Sequence, residues 1–198
     1  MRVLVGISGA SGSIYAERLI AELASRIPRV YVIFTKTGQQ VCRHELTISD
    51  ERFSLLRLLK QEQNPDHVIR VFSDEDLFAP VASGSSVPTH MVVLPCSMGC
   101  LARISCGISS GLLERAADVM LKQKRPLIVC PRETPLNTIH LRNMTSLSEM
   151  GVHIVPAMPA FYQKPSGISD LVDFMVGRIL EILNLDHQLY RPWNPRMR

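Results

Sequence analysis

The sequence lacks the features that mark several large classes of protein. It has five cysteines but no CxxC pair, so neither a disulfide framework nor a paired-thiolate zinc site is indicated. No apolar run approaches the roughly 20 residues that a membrane-spanning helix needs, and no secretion signal is evident, so we expect a cytoplasmic protein without a membrane partner. The net charge of +4 is spread over 198 residues without a basic run, which argues against a nucleic-acid partner.

Several familiar catalytic motifs are also missing. The glycine loop near the start does not fit GxGxxG, and no lysine follows Gly12, which excludes a P-loop triphosphate site. There is no HExxH zinc motif either. Cys96, Cys100 and Cys106 lie close together, but no fourth ligand at suitable spacing accompanies them. We therefore expect no metal.

What the sequence does contain is an alternation of short β-rich runs with helical patterns, which is typical of a parallel sheet covered by helices. The predicted strands are residues 2–7, 29–35, 68–72, 90–95, 126–131 and 152–156. The predicted helices are residues 12–25, 37–46, 51–62, 109–123, 137–150 and 168–184. The pattern predicts the α/β class, with a Rossmann-like, open, mostly parallel sheet and helices on both faces. We expect a single domain over residues 1–185 and a tail over 186–198 that packs on the site or on a neighbouring subunit.

The stretch "GISGASG" joins the first predicted strand to the first helix. Its backbone N–H groups and serine hydroxyls suit an anion, but a tight turn capped by Ser11 explains the pattern about as well. Two further loops of small residues, 82–86 and 95–99, follow predicted strands. Because a doubly wound fold gathers such loops into one crevice, we expect all three loops at the same edge of the sheet.

Charged residues in the second half suggest another anion site. Arg115 and Lys122 lie seven apart in a helical pattern and so share one face, although solvated helix charges are the commoner explanation. Arg132 and Glu133 follow a predicted buried strand. An anion clamp with an acid/base group would fit there, and an internal ion pair would fit equally.

Taken together, seven segments resemble the UbiX-like flavin prenyltransferases, formerly described as aromatic-acid decarboxylases. In the family's order, over nearly the whole chain, they are "GISGASGSIYAERLI", "VASGSS", "PCSMGCLARI", "LLERAADVMLK", "RPLIVCPRETPLNTIHLRNM", "GVHIVPAMPAFYQKP" and "DLVDFMVGRIL". The resemblance implies an enzyme that binds FMN at a subunit interface and joins a dimethylallyl group from dimethylallyl phosphate to reduced FMN, without a metal. It also implies a homo-oligomer, a dodecamer, that delivers prenylated FMN to a UbiD-type decarboxylase.

The matching motifs also imply roles for individual residues. The predicted FMN-binding residues are Gly9, Ala10, Ser11, Thr35, Ser85, Ser97, Met98 and Arg115. The predicted cradle for the donor phosphate consists of Lys122, Arg132, Tyr162 and Arg178, of which Lys122 and Tyr162 are also expected to be catalytic. Glu133 is predicted to transfer a proton beside that phosphate, Glu45 to assist a later ring-forming step, and Trp193 to cover the prenyl pocket.

Two alternatives stay open. A flavin-dependent cysteine-type decarboxylase would share the fold and the FMN, but that family relies on a histidine base and a Pro-x-Met-Asn motif, whereas the corresponding region here reads "PRETPLN". A non-catalytic FMN carrier would keep the glycine and serine loops. Such a carrier would have no need for Lys122, Arg132, Glu133, Tyr162 and Arg178 together.

Overall fold

The computed structural model describes residues 1–46, 54–58, 68–191 and 193. Its strands are β1 Arg2–Ile7, β2 Arg29–Phe34, β3 Ile69–Ser73, β4 His90–Cys96, β5 Leu127–Pro131 and β6 His153–Ile154. Within the described residues, these six strands form one parallel sheet in the order β3-β2-β1-β4-β5-β6. This order is that of the doubly wound nucleotide-binding folds, so the predicted Rossmann-like α/β class is confirmed.

Helices cover both faces of the sheet. They are α1 Ser13–Arg26, α2 Lys36–Glu45, α3 Leu55–Leu58, α4 Met98–Ser105, α5 Leu112–Lys122, α6 Thr138–Glu149 and α7 Ile168–Ile182, with a 3-10 turn at Pro80–Ala82. The predicted helices other than 51–62 are confirmed to within a few residues of their ends. The helix predicted over 51–62 lies mostly outside the described residues, and α3 is the part of it that is described. In the described ranges, none of the helices is long and apolar enough to cross a membrane.

Helix α4 is missing from the predicted elements, because residues 95–99 were expected to form a loop. Ser97 begins this helix as its N-cap, and its hydroxyl accepts a hydrogen bond from Cys100 N at 3.4 Å. The helix is only eight residues long and includes Gly99, so its periodicity is too short to stand out. The small-residue loop is therefore a short turn followed at once by a helix N-terminus.

Two apolar layers hold the helices on the sheet. On one face, Leu19 of α1 and Val176 of α7 pack against alternate residues of the central strands. On the other face, Leu101 of α4 and Leu113 of α5 pack against the remaining alternate residues. Each such fully buried side chain contributes roughly 1.5–3 kcal/mol. Burial on both faces explains why the central strands are apolar at consecutive positions.

Helix α5 runs along the sheet from the carboxyl ends of the strands, here called the carboxyl edge, to their amino ends, here called the amino edge. Its start is fastened to Asp74, whose backbone O accepts from Leu112 N at 2.7 Å and whose Oδ1 accepts from Leu113 N at 2.8 Å. Asp74 directly follows the carboxyl end of β3, whereas Lys122 ends α5 shortly before β5 begins. Since all six described strands are parallel, the two ends of α5 lie at opposite edges of the sheet.

Candidate active site

The glycine loop after β1 is capped by a carboxylate from another helix. Glu45, the last residue of α2, accepts hydrogen bonds through Oε2 from Ser13 N at 2.8 Å and from Gly12 N at 3.0 Å. Gly12 is the N-cap of α1 and has a φ of 115°, in the left-handed region that favours glycine. The alternative of a turn capped by Ser11 is therefore wrong, because the cap comes from Glu45.

Glu45 is held as a carboxylate at neutral pH. Partial burial favours its neutral form, but hydrogen bonds from the Ser11 hydroxyl and from the backbone N–H groups of Ser13 and Gly12 prevail and lower its pKa. The N-terminus of α1 adds a partial positive charge at the same point. Glu45 thus already occupies two of the N–H groups that a ligand phosphate would otherwise use at this helix.

A cleft of about 360 Å³ opens beside this loop, at the carboxyl ends of the strands. The hydroxyl-bearing residues on its wall are Ser8, Thr35, Thr37, Ser97 and Ser110. Ser97 N donates to Ser8 Oγ at 2.8 Å, which joins the loops after β1 and β4. Gly9 approaches α2 so closely that an added Cβ would lie 2.5 Å from Thr37 Cγ2. Strand order reverses between β1 and β4, and doubly wound folds bind their ligands at such a reversal.

The other predicted flavin residues at this edge have structural partners of their own. Thr35 is the N-cap of α2, and its hydroxyl accepts a hydrogen bond from Gly38 N at 3.0 Å. Ala10 and Met98 are buried, with 3% and 7% of their surface exposed. These two residues therefore offer a ligand mainly backbone groups.

Arg132 ties the end of β5 to the glycine loop. Its backbone N donates to Cys96 O at 3.1 Å, and its side-chain Nε donates to Ser11 O at 3.3 Å. The adjacent Glu133 is exposed and accepts a hydrogen bond through Oε1 from Thr134 N at 3.0 Å. Both Arg132 and Glu133 are described, and they do not form the internal ion pair that was the alternative for this segment.

Tyr162 belongs to an aromatic group that includes the C-terminal tail. Its ring meets the rings of Trp193 and Phe174 edge-on, with centroids 5.2 Å and 5.8 Å away. Trp193 keeps 64% of its surface exposed and Tyr162 46%. A cavity of about 530 Å³ lies among these side chains. The tail residue Trp193 therefore rests on a residue predicted for the donor site.

Arg178 lies near the same group, on α7. It forms an ion pair with one oxygen of Glu181, while the Tyr190 hydroxyl donates to the other oxygen. Hydrogen bonding with Tyr190, supported by the Glu181 carboxylate and by Tyr162, raises the pKa of Arg178. Burial and the hydrogen bond to Glu181 raise the pKa of Tyr190 to about 12. Arg178 is therefore a fixed cation within electrostatic reach of Tyr162.

The loop that contains Ser85 does not join the other two loops. Gly84 lies against the end of α5, where an added Cβ would be 2.6 Å from Gln123 Nε2. Further on, Thr89 N donates to Arg2 O at 2.9 Å, at the start of β1. Both contacts belong to the amino edge of the sheet. The expectation that all three small-residue loops share one edge is therefore wrong for this loop, and Ser85 is exposed on the far side.

Lys122 and Arg132 lie at opposite edges of the sheet. Lys122 is exposed at the end of α5, whereas Arg132 follows the carboxyl end of β5. A strand of five residues such as β5 spans about 16 Å. Arg115 is also on α5, where its Nη1 contacts Asp118 Oδ2 at 2.7 Å. Within one chain, Lys122 and Arg132 of the predicted phosphate cradle therefore do not come together.

One ion pair on the cleft wall was not predicted. Arg103 of α4 donates through Nε to Glu114 Oε1 of α5 at 2.5 Å. Glu114 is only 4% exposed, and its other oxygen accepts from Ser110 N at 2.9 Å. Because the partners belong to different helices, and α4 itself was not predicted, no local spacing in the sequence points to this pair.

Neither a cluster of metal-binding side chains nor a disulfide is found among the described residues. Among them, no three side chains of His, Cys, Asp and Glu come together in a way that could hold a metal ion. All five cysteines are described and free. Burial raises the pKa of the Cys130 thiol, which leaves it unreactive.

The fold and the cleft at the strand reversal define a nucleotide-binding α/β protein, and comparison with known proteins identifies the class. The family model described as Flavoprotein matches residues 1–180. A flavin prenyltransferase UbiX of Halalkalibacterium halodurans is 48% identical over 190 residues, covering 96% of this chain and 91% of the relative. One from Methanocaldococcus jannaschii is 39% identical and covers 98% of each chain. The chain belongs to the UbiX family of flavin prenyltransferases.

Solved structures agree with this assignment. The complex of AnUbiX (PadA1) with FMN and dimethylallyl pyrophosphate is 37% identical, with a TM-score of 0.86 over 98% of this chain and 97% of the other. The dodecameric FMN-dependent UbiX-like decarboxylase from Escherichia coli O157:H7 is 36% identical, with a TM-score of 0.87 over 98% and 100%. The cysteine decarboxylase TvaF is 20% identical, with a TM-score of 0.58 over 78% and 89%, and shares the fold alone.

Proposed function

We propose that this protein joins a dimethylallyl group from dimethylallyl phosphate to reduced FMN and so forms prenylated FMN. The contact between Arg132 and the glycine loop carries the proposal. Arg132 Nε donates to Ser11 O at 3.3 Å, so a residue assigned to the donor phosphate borders a residue assigned to the flavin. The relatives named flavin prenyltransferase, and the relative solved with FMN and dimethylallyl pyrophosphate, support the same reaction class.

The cleft at the strand reversal suits FMN, because hydroxyl groups, backbone N–H groups and cations converge there. From one chain, the residues proposed to hold the flavin are Gly9, Ala10, Ser11, Thr35, Ser97 and Met98. Ser85 and Arg115 lie elsewhere on the chain, so we assign them to a neighbouring copy. When bound, reduced FMN supplies the nucleophile that attacks the allylic carbon.

The donor side must hold a phosphate whose negative charge grows as the allylic C–O bond breaks. Arg132, Lys122 and Arg178 are cations that can stabilise this charge without a metal, and the Tyr162 hydroxyl adds another donor. Arg178 is a cation at neutral pH, and its contacts with Tyr190 and Glu181 raise its pKa further. Arg132 is already next to the glycine loop, so it would meet the leaving phosphate beside the flavin.

The aromatic group forms the proposed wall of the prenyl pocket. Tyr162 and Trp193 present ring surfaces beside a cavity of about 530 Å³. Such surfaces exclude water from a carbocation, and a π face attracts its charge. We therefore assign the tail, residues 186–198, of which 192 and 194–198 lie outside the described residues, to the cover of this pocket or of a neighbouring one, and residues 1–185 to the flavin-binding domain.

The positions of Lys122 and Arg132 imply a site shared between copies. Because the two residues lie at opposite edges of one sheet, a complete cradle needs Lys122 from one copy and Arg132 from another. A homo-oligomer with closed symmetry repeats this contact at every site. We propose a dodecamer, the assembly of the UbiX-like relative from Escherichia coli.

Two carboxylates are left for proton transfer. Glu133 is exposed directly after Arg132, so it would lie beside the leaving phosphate, where it can exchange a proton with it. Glu45 is ionised and bound to the glycine loop, so it can act as a fixed negative charge or a base in the later ring-forming step. These are different tasks, since the Glu133 carboxylate is exposed and the Glu45 carboxylate is held by three polar groups.

We further propose that the reaction occurs in the cytoplasm and that the product is delivered to a UbiD-type decarboxylase. Five free cysteines suit a reducing compartment. Prenylated FMN is a modified cofactor, so it has to be used by a second protein that depends on it.

The test is an anaerobic incubation of purified protein with reduced FMN and dimethylallyl phosphate, followed by mass spectrometry and a phosphate assay. We expect a flavin heavier by one prenyl unit, released in step with inorganic phosphate. Dimethylallyl pyrophosphate in a parallel reaction identifies the preferred donor. Unmodified FMN with intact donor in both reactions would leave an FMN carrier as the better explanation. In a third reaction, with oxidised FMN and a peptide that ends in cysteine, loss of carbon dioxide would favour the decarboxylase.

A further inference from the structure

The ion pair between Arg103 and Glu114 lies on the wall of the flavin cleft, yet none of the matched motifs gives it a role. Glu114 is 4% exposed and fully engaged, with one oxygen on Arg103 Nε and the other on Ser110 N. Arg103 is different, since its side chain remains 40% exposed. The pair therefore has a buried acidic member and a basic member that faces the cleft.

The contacts of Arg103 fix its orientation. Its Nε is committed to Glu114, and its Nη1 lies 3.5 Å from the position that a Cβ on Gly99 would take. Within the described residues, the two terminal nitrogens donate to no other group. Nη1 lies beside the first turn of α4, and Arg103 is part of the cleft wall.

The charge balance of the cleft also requires a cation here. Asp74 and Glu114 both contribute carboxylates to the wall, and Lys36 and Arg103 contribute the positive charges. A phosphate dianion entering beside two carboxylates is repelled unless cations adjoin it. Glu45 already occupies the first N–H groups of α1, so that helix is not available to compensate.

We infer that Arg103 binds the phosphate group of FMN through its terminal nitrogens and that Glu114 is the positioning residue that holds its guanidinium in place. The inference rests on the proposed binding of FMN in this cleft. A planar guanidinium held at Nε presents its two outer N–H groups side by side, which matches the spacing of phosphate oxygens. Arg103 thereby adds a phosphate contact from α4 to the flavin residues already assigned.

The test compares FMN with riboflavin, which lacks the phosphate, by quenching of flavin fluorescence on the full-length protein. Arg103→Gln should raise the dissociation constant for FMN about tenfold or more, while that for riboflavin stays within about twofold of the wild-type value. Arg142→Gln, an exposed position on α6, serves as the matched control and should change neither. Raising the salt concentration should weaken FMN binding less in Arg103→Gln than in the wild type.

A double variant, Arg103→Gln with Glu114→Gln, separates phosphate binding from simple neutralisation of a buried charge. It leaves no unpaired buried carboxylate, so it should fold even if Arg103→Gln alone does not. We expect it to bind FMN as weakly as the single variant does. Recovery of wild-type FMN affinity in the double variant, or an equal loss for riboflavin, would overturn the assignment. If the wild type binds no FMN at all, the proposed function fails first.

Discussion

The two edges of the sheet are built in different ways. At the carboxyl edge, Glu45, Ser8, Ser97 and Arg132 bond to loops from other strands, so the flavin cleft is assembled within one chain. At the amino edge, Lys122 stands exposed at the end of α5, away from the residues it is proposed to work with. The difference places most of the proposed flavin contacts within one chain, whereas the proposed donor-phosphate cradle needs residues from two copies.

Mixing two inactive variants tests most directly whether the donor-phosphate site is shared between two copies of the chain. Lys122→Ala and Arg132→Ala should each slow prenyl transfer about 10²-fold or more, because each removes a charged donor from the leaving phosphate. Co-assembled in equal amounts, they should recover about a quarter of the wild-type rate, since that share of sites then has both residues intact.

The mixture is assayed by phosphate release after the two chains are co-expressed with different tags. Lys124→Asn, which removes a cation in the same turn at a φ of 51° that Asn tolerates, is the control and should keep full activity. If the mixed assembly is no more active than the separate variants, then each site lies within one chain and the two edges do not cooperate.

Glu133→Gln tests whether the carboxyl edge contributes to catalysis separately from its contribution to FMN binding. The amide keeps the shape but cannot exchange a proton, so transfer should slow about 10²-fold while the dissociation constant for FMN stays unchanged. The measurements are single-turnover rates and flavin fluorescence titrations. Glu149→Gln, an exposed position at the end of α6, should behave as the wild type. Full activity in Glu133→Gln would remove this residue from the mechanism.

Gly9→Ala tests how closely the carboxyl edge is packed. An added Cβ would lie 2.5 Å from Thr37 Cγ2, and the branched threonine cannot swing aside freely, so α2 must shift. The free energy of unfolding should fall by about 1–3 kcal/mol, and FMN should bind more weakly. Gly167→Ala is the matched control, since its nearest neighbour would be Ser169 Oγ at 4.0 Å. Equal denaturation midpoints for the two variants would contradict this close packing.

The smallest expected effect concerns the cap on α1. Because the pKa of Glu45 in the folded chain lies below its ordinary value of 4.5, the folded state binds fewer protons there than the unfolded state does. The stabilisation is therefore complete above pH 4.5 and is lost as the pH falls through the folded-state pKa. Glu45→Gln should cost about 1 kcal/mol or less at pH 7, and urea titrations should show the difference from the wild type disappearing in acid.

The alternation of elements was readable from the sequence because burial on both faces leaves consecutive apolar residues, as in β1 and β4, and amphipathic helices show their period. Helix α4 was not predicted, because eight residues that include a glycine are too few to show a helical periodicity of apolar positions. The prediction that the loop of Ser85 lies at the same edge of the sheet as the other two loops failed for another reason. Its loop precedes β4 rather than following a strand, and a strand's direction in the sheet is decided by long-range pairing.

By itself, the sequence determined the α/β class, the family and the residues that the family motifs contain, since these depend on local periodicity and on the order of segments along the chain. The tertiary structure alone decided that Glu45 reaches from α2 to cap α1, that Arg103 pairs with Glu114, and that Lys122 and Arg132 lie at opposite edges. These relations join residues that are distant in the chain. They arise only when the strands take their order and the helices pack across them, which local patterns do not specify.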